Sequence, residues 1–101
     1  MEEMIMNLII HSGEARSYAM EAMQLAKAGS FAEAKELVEK AATQLGEAHH
    51  SQTALIQKEA GGDKVEVSLL LVHAQDHLMT SMVVKDLAAE IIDLHEKLAS
   101  K

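Results

Sequence analysis

The chain contains no proline, and its only strong backbone breaks are Gly29-Ser30 and Gly61-Gly62-Asp63. Without proline every residue keeps its backbone donor, and no ring clashes with a preceding turn, so helices are free to run from break to break. Between the breaks the sequence is rich in Ala, Glu, Lys, Leu and Met, which are strong helix formers. The reading is all-α, with helices over about residues 3–28, 31–59 and 65–99. Ser30 followed by Glu33 is a capping-box pattern, and Gly29 and Gly61-Gly62 act as stops. Val65–Val72 suits a strand by propensity, but helical spacing continues through it and favours helix. Short loops between such long helices predict one antiparallel three-helix bundle spanning 1–101.

Helix 1 carries Ile5, Ile9, Ser12, Ala15, Ala19, Ala22 and Ala26 along one face, small enough for a neighbouring backbone to approach closely. Helix 2 carries Phe31, Ala34, Leu37, Val38, Ala41, Leu45, Ala48, Leu55 and Ile56, with Glu33, Lys35, Glu36, Glu39 and Lys40 as a solvated side. Helix 3 is apolar nearly all round between residues 69 and 84. One seam is Leu69, Val72, Asp76, Met79 and Val83. A second is Leu70, His73, His77, Thr80, Val84, Leu87, Ile91, Leu94 and Leu98. A third side holds Leu71, Ala74, Leu78 and Met82. Three helices bury one or two of these faces, so the surplus predicts a homo-oligomer packed around helix 3.

Composition removes several function classes. A net charge of −7 with no Lys/Arg cluster argues against nucleic acid and anionic membrane surfaces. The absence of cysteine excludes disulfides, thiolate zinc sites and cysteine nucleophiles. One Phe, one Tyr and no Trp leave little to stack on bases or sugars. The opening MEEMIMNLII lacks a basic n-region, and no apolar run approaches the roughly 20 residues of a membrane span, so a cytoplasmic protein without membrane insertion is expected. Gly61-Gly62 lacks the Walker lysine pattern, and no serine-hydrolase elbow is present.

The polar residues on the helix 3 seams carry the chemistry. Asp76 occupies a seam position between Val72 and Met79. A carboxylate buried there needs a partner, a proton or a metal, and in a symmetric oligomer its copies would meet on the axis. The plainer reading is an Asp76 hydrated at a seam edge, pairing with Lys85 or with a neighbouring chain. His73 and His77 stand one turn apart. They suit a packed structural pair, a metal chelate, or a neutral imidazole nucleophile with a reference pKa of about 6.5. Ala74, not Glu, follows His73, so zinc-protease chemistry is unsupported. His11, His49, His50 and His95 read as structural, with His50 pairing with Glu47 on the surface and His95 favoured near a helix C-terminus.

The stretch Leu71–Met82, LVHAQDHLMTSM, resembles the signature helix of the lactose/cellobiose-type enzyme IIA components of the phosphoenolpyruvate-dependent sugar phosphotransferase system. Ser12-Gly13-Glu14-Ala15-Arg16-Ser17 and Glu47-Ala48-His49 with Gln52-Thr53 also resemble that family, and the order holds from about Asn7 to Leu98. Ile91 through Leu98 resembles the chitobiose/cellobiose branch more than the lactose branch.

The resemblance implies a homotrimer of nine helices and phosphorylation of His73 through Nε2. It implies that three copies of Asp76 share a divalent cation, Mg2+, on the trimer axis. The phosphoryl donor would be HPr, and the acceptor a cysteine of a cognate enzyme IIB, in uptake of a disaccharide such as cellobiose, chitobiose or lactose. Gln75 and His77 are expected to support the phosphoryl group, and Leu78, Met79 and Met82 to form an adaptable docking surface. The competing readings are a non-catalytic metal-binding helical trimer and, more weakly, a metalloenzyme using His73 and His77.

Overall fold

The computed structural model describes residues 2–101 and consists of α1 (Glu2–Lys27), α2 (Phe31–Ala60) and α3 (Leu69–Ala99), with no strand among the described residues. The two glycine breaks close their helices in the same way. Gly29 takes φ +85°, its N–H donates to Ala26 O, and Ser30 N–H donates to Leu25 O. Gly62 takes φ +100°, its N–H donates to Glu59 O, and Asp63 N–H donates to Lys58 O. Both are Schellman motifs with glycine at the left-handed position.

The capping box expected at Ser30 does not form: its side chain makes no capping hydrogen bond. Its N–H is held by the Schellman bond to Leu25 O, and its backbone (φ −89°, ψ 67°) departs from the extended geometry that aims a capping side chain. The third helix begins at Leu69 rather than 65. Ser68 is extended (φ −123°, ψ 163°), and its Oγ accepts from Leu71 N–H, satisfying a donor that the new helix leaves open. Residues 63–68 form neither helix nor strand, so the strand reading is not realised either.

The chain reverses twice, which leaves α1 and α3 parallel and α2 antiparallel to both. Lys35, near the start of α2, pairs with Glu96 near the end of α3 at 3.0 Å, whereas Gln52 bonds Gln75 near the start of α3. The bundle measures 56 × 19 × 18 Å. Its core follows the predicted faces closely. Ile5, Ser12, Ala15, Ala19, Ala22 and Ala26 of α1 are buried together with Leu8, while Ile9 is half-buried. On α2, Ala34, Ala41, Leu45, Ala48 and Leu55 are buried, whereas Ile56 is exposed. The third side of α3 supplies Leu71, Ala74 and Leu78, continued by Ser81, Ala88 and Ile92. Fully burying a leucine such as Leu8 or Leu78 contributes about 1.5–3 kcal/mol. With α3's third side inward, both of its other seams face outward.

Candidate functional site

His73 and His77 project from the same side of α3, one helical turn apart, as the i,i+4 spacing dictates. Their ring centroids are 5.9 Å apart, and the planes are only 12° from parallel. The two environments differ. His73 is exposed; His77 is half-buried and borders a groove of about 460 Å³ between α1 and α3, with Ile9, Ile10, Gly13, Glu14, Ser17 and Tyr18. Nε2 of His77 lies over Gly13, 3.5 Å from where a Cβ would stand. Gly13 belongs to the first of the two supporting motifs, so that motif forms the wall against which His77 rests.

The second motif meets α3 on its opposite flank. Gln52 Nε2 donates to Gln75 Oε1 and also lies 3.8 Å from Met79 Sδ. Gln75 follows His73 by two residues, about 200° around a helix, so it turns toward α2 and away from its own chain's His73. The structure therefore groups His73 with His77 and separates Gln75 from them. The assignment of Leu78 to a docking surface is corrected: Leu78 is fully buried, because it lies on the side of α3 that forms the core. Met82 is half-buried against that core, and Met79 is half exposed.

Asp76 is exposed on α3, flanked by Leu69, Val72, Met79 and Val83, all more than half exposed. The plainer pairing with Lys85 does not occur: Lys85 Nζ contacts Asp86 at 2.7 Å. Asp76 forms no ion pair among the described residues. Asp76 is thus a lone carboxylate in the middle of an uncovered apolar stripe.

Of the remaining histidines, His11 is structural, as its sequence context predicts: it bonds Gln44 Oε1 through Nδ1 and so ties α1 to α2. Interhelical register, which residue spacing does not carry, decides that pairing. His49 and His50 are exposed, and no ion pair joins His50 to Glu47, contrary to expectation. No helix among the described residues is long and apolar enough to cross a membrane.

The fold and site thus define a narrow three-helix bundle that carries a stacked imidazole pair beside an open groove. The pattern of the family described as "PTS system, Lactose/Cellobiose specific IIA subunit" matches residues 3–96. The chain therefore belongs to the lactose/cellobiose-specific IIA subunits, which are phosphotransferase components. It is 55% identical over 101 residues to the lichenan-specific phosphotransferase enzyme IIA component of Bacillus subtilis (strain 168), covering 100% of this chain and 92% of the relative. The crystal structure of the PTS cellobiose-specific enzyme IIA from Bacillus anthracis superposes with a TM-score of 0.96 at 58% identity, covering 99% of this chain and 92% of that one. The solution structure of the IIA(chitobiose)–HPr complex from Escherichia coli gives a TM-score of 0.84 at 54% identity, over 97% of this chain and 95% of that one.

Proposed function

We propose that this chain is a cytoplasmic phosphocarrier in disaccharide uptake, accepting a phosphoryl group from phospho-HPr on His73 and passing it to a cysteine of a cognate enzyme IIB. The observation that carries the reading is the position of His73: an exposed imidazole at the motif position, on an open helix face that a partner can reach. The Nε2 lone pair of neutral His73 attacks phosphorus in line, and the bond from phosphorus to the donor's histidine nitrogen breaks. In the second transfer a thiolate attacks the same phosphorus, and the electrons of the P–N bond return to His73. This chain has no cysteine, so that thiolate belongs to another protein. His77 packs beside the acceptor ring and orients it. The likeness to a IIA protein solved in complex with HPr supports the first transfer.

The reading includes a homotrimer around α3, with the outward Asp76 seam turned to the axis. The described residues hold no cluster of three metal-ligating side chains within one protomer. Three symmetry-related Asp76 carboxylates would supply the hard oxygen donors that Mg2+ prefers. Such an ion would neutralise the converging charges and hold the subunits together. Intact mass measured after incubation with phosphoenolpyruvate, enzyme I and HPr tests the carrier reading. One acid-labile phosphoryl group, absent from His73→Ala, is the expected result. No added mass on the wild-type chain, with HPr itself phosphorylated, overturns it.

A further inference from the structure

We infer that His73 and His77 together chelate a borderline divalent transition ion, for which Zn2+ is the reference, and that the ion competes with the phosphoryl group for His73. The pair has the spacing at which one helix face presents two imidazoles to one ion. It is the sole i,i+4 histidine pair among the six histidines of the chain. His49 and His50 are adjacent, about 100° apart around the helix, and cannot close on one ion. His11 is held by Gln44.

The two rings play different parts. His77 borders α1 at Gly13, while His73 is exposed on the helix surface. The rings now stand near parallel at 5.9 Å. Convergence on one ion requires their planes to tilt toward each other, a movement open to His73. Imidazole suits zinc, copper and nickel, whereas Mg2+ selects oxygen, so Mg2+ does not compete for the histidine pair. No third histidine or carboxylate joins the pair in a ligating cluster among the described residues, so water fills the remaining positions. That makes the site open and exchangeable rather than structural.

The competition is atomic. The ion requires the lone pair of a neutral His73, and so does phosphorus. Metal binding stands on the geometry alone; the competition rests on His73 being the phosphoryl acceptor, as proposed above.

Calorimetric titration of Zn2+ into chelator-washed protein held in excess Mg2+ tests the site, using the wild type, His73→Gln, His77→Gln and His50→Gln, each checked for helicity. One ion per chain is expected. Each His→Gln change at 73 or 77 weakens it at least about tenfold, since a chelate becomes a single ligand, and His50→Gln, at an exposed position outside the pair, leaves it unchanged. Wild-type affinity in either His73→Gln or His77→Gln overturns the site. Purified phospho-HPr, freed of enzyme I, is then mixed with the wild-type chain with and without saturating Zn2+. Transfer slowed at least about tenfold, and restored by chelator, supports the competition; transfer at an unchanged rate with the ion bound overturns it. A chain that binds zinc as described but takes no phosphoryl group without metal overturns the carrier reading and the competition, and leaves the site standing.

Discussion

Nε2 of His77 rests over the bare backbone of Gly13, 3.5 Å from the place a Cβ would occupy. A methyl group there makes ordinary contact, whereas a longer branched side chain reaches into the groove that the His77 ring borders. Gly13→Ala is expected to stabilise the protein by up to about 1 kcal/mol, because Gly is a poor residue inside a helix. Gly13→Leu is expected to push the His77 ring outward and slow phosphoryl acceptance by His73. Thermal melts and the rate of transfer from phospho-HPr check the two halves separately. A Leu variant that transfers at the wild-type rate removes His77 from the positioning role.

Leu78 and Met79 are neighbours in sequence with opposite environments, the first fully buried and the second half exposed. Leu78→Ala is expected to destabilise the protomer by about 2–5 kcal/mol, the usual range for emptying a core leucine site. Met79→Ala is expected to leave the protomer's helicity intact and to weaken self-association. Denaturant melts and analytical ultracentrifugation of the two variants distinguish these outcomes.

The contrast between those residues shows what was legible in the sequence and what was not. The buried stripe Ser12–Ala15–Ala19–Ala22–Ala26 follows directly from helical spacing, and so does the His73–His77 stack. The glycine stops were equally plain, because only glycine enters the left-handed region easily. The motif sets Leu78 beside Met79 and Met82, but its angular position, shared with Leu71 and Ala74, puts it on the core side. The late start of α3 was hidden because Val65 and Val67 continue an apolar rhythm, and Ser68 marks the boundary only through its side-chain bond to Leu71. The Gln52–Gln75 and His11–Gln44 bonds depend on the register between helices, and no periodicity within one helix encodes that.

Ser12 and Ser81 are fully buried, and neither hydroxyl has a hydrogen-bond partner among the described residues. A buried donor left unmade carries its full desolvation penalty, about 1–3 kcal/mol. Removing the hydroxyl while keeping the small size removes that penalty without opening a large void. Ser12→Ala and Ser81→Ala are therefore each expected to be neutral or stabilising. A loss of more than about 1 kcal/mol in chemical denaturation would mean that the hydroxyl is satisfied in solution, by a bound water or a backbone carbonyl.

Asp76 gives the sharpest test of the assembly, because two explanations of it predict opposite signs. The seam around it (Val72, Met79 and Val83) is apolar and uncovered in the protomer. If three protomers close on that seam, converging carboxylates repel one another unless a cation or a proton neutralises them. Asp76→Leu would then complete an apolar seam, and replacing buried charge by well-packed hydrophobic residues often stabilises by about 1–4 kcal/mol. The expected result is a trimer with a raised melting temperature that no longer responds to Mg2+ or chelator. The wild-type trimer is expected to gain stability with added Mg2+ and lose it with chelator, since an ion bound only by the assembled state shifts the equilibrium by mass action. Sedimentation equilibrium and melts with and without chelator read both effects. A variant that falls to monomer would show that the axis depends on the carboxylate and its ion rather than on the apolar seam. A wild-type chain that stays monomeric at high concentration would remove the trimer, and with it the reason for an acidic residue on that face.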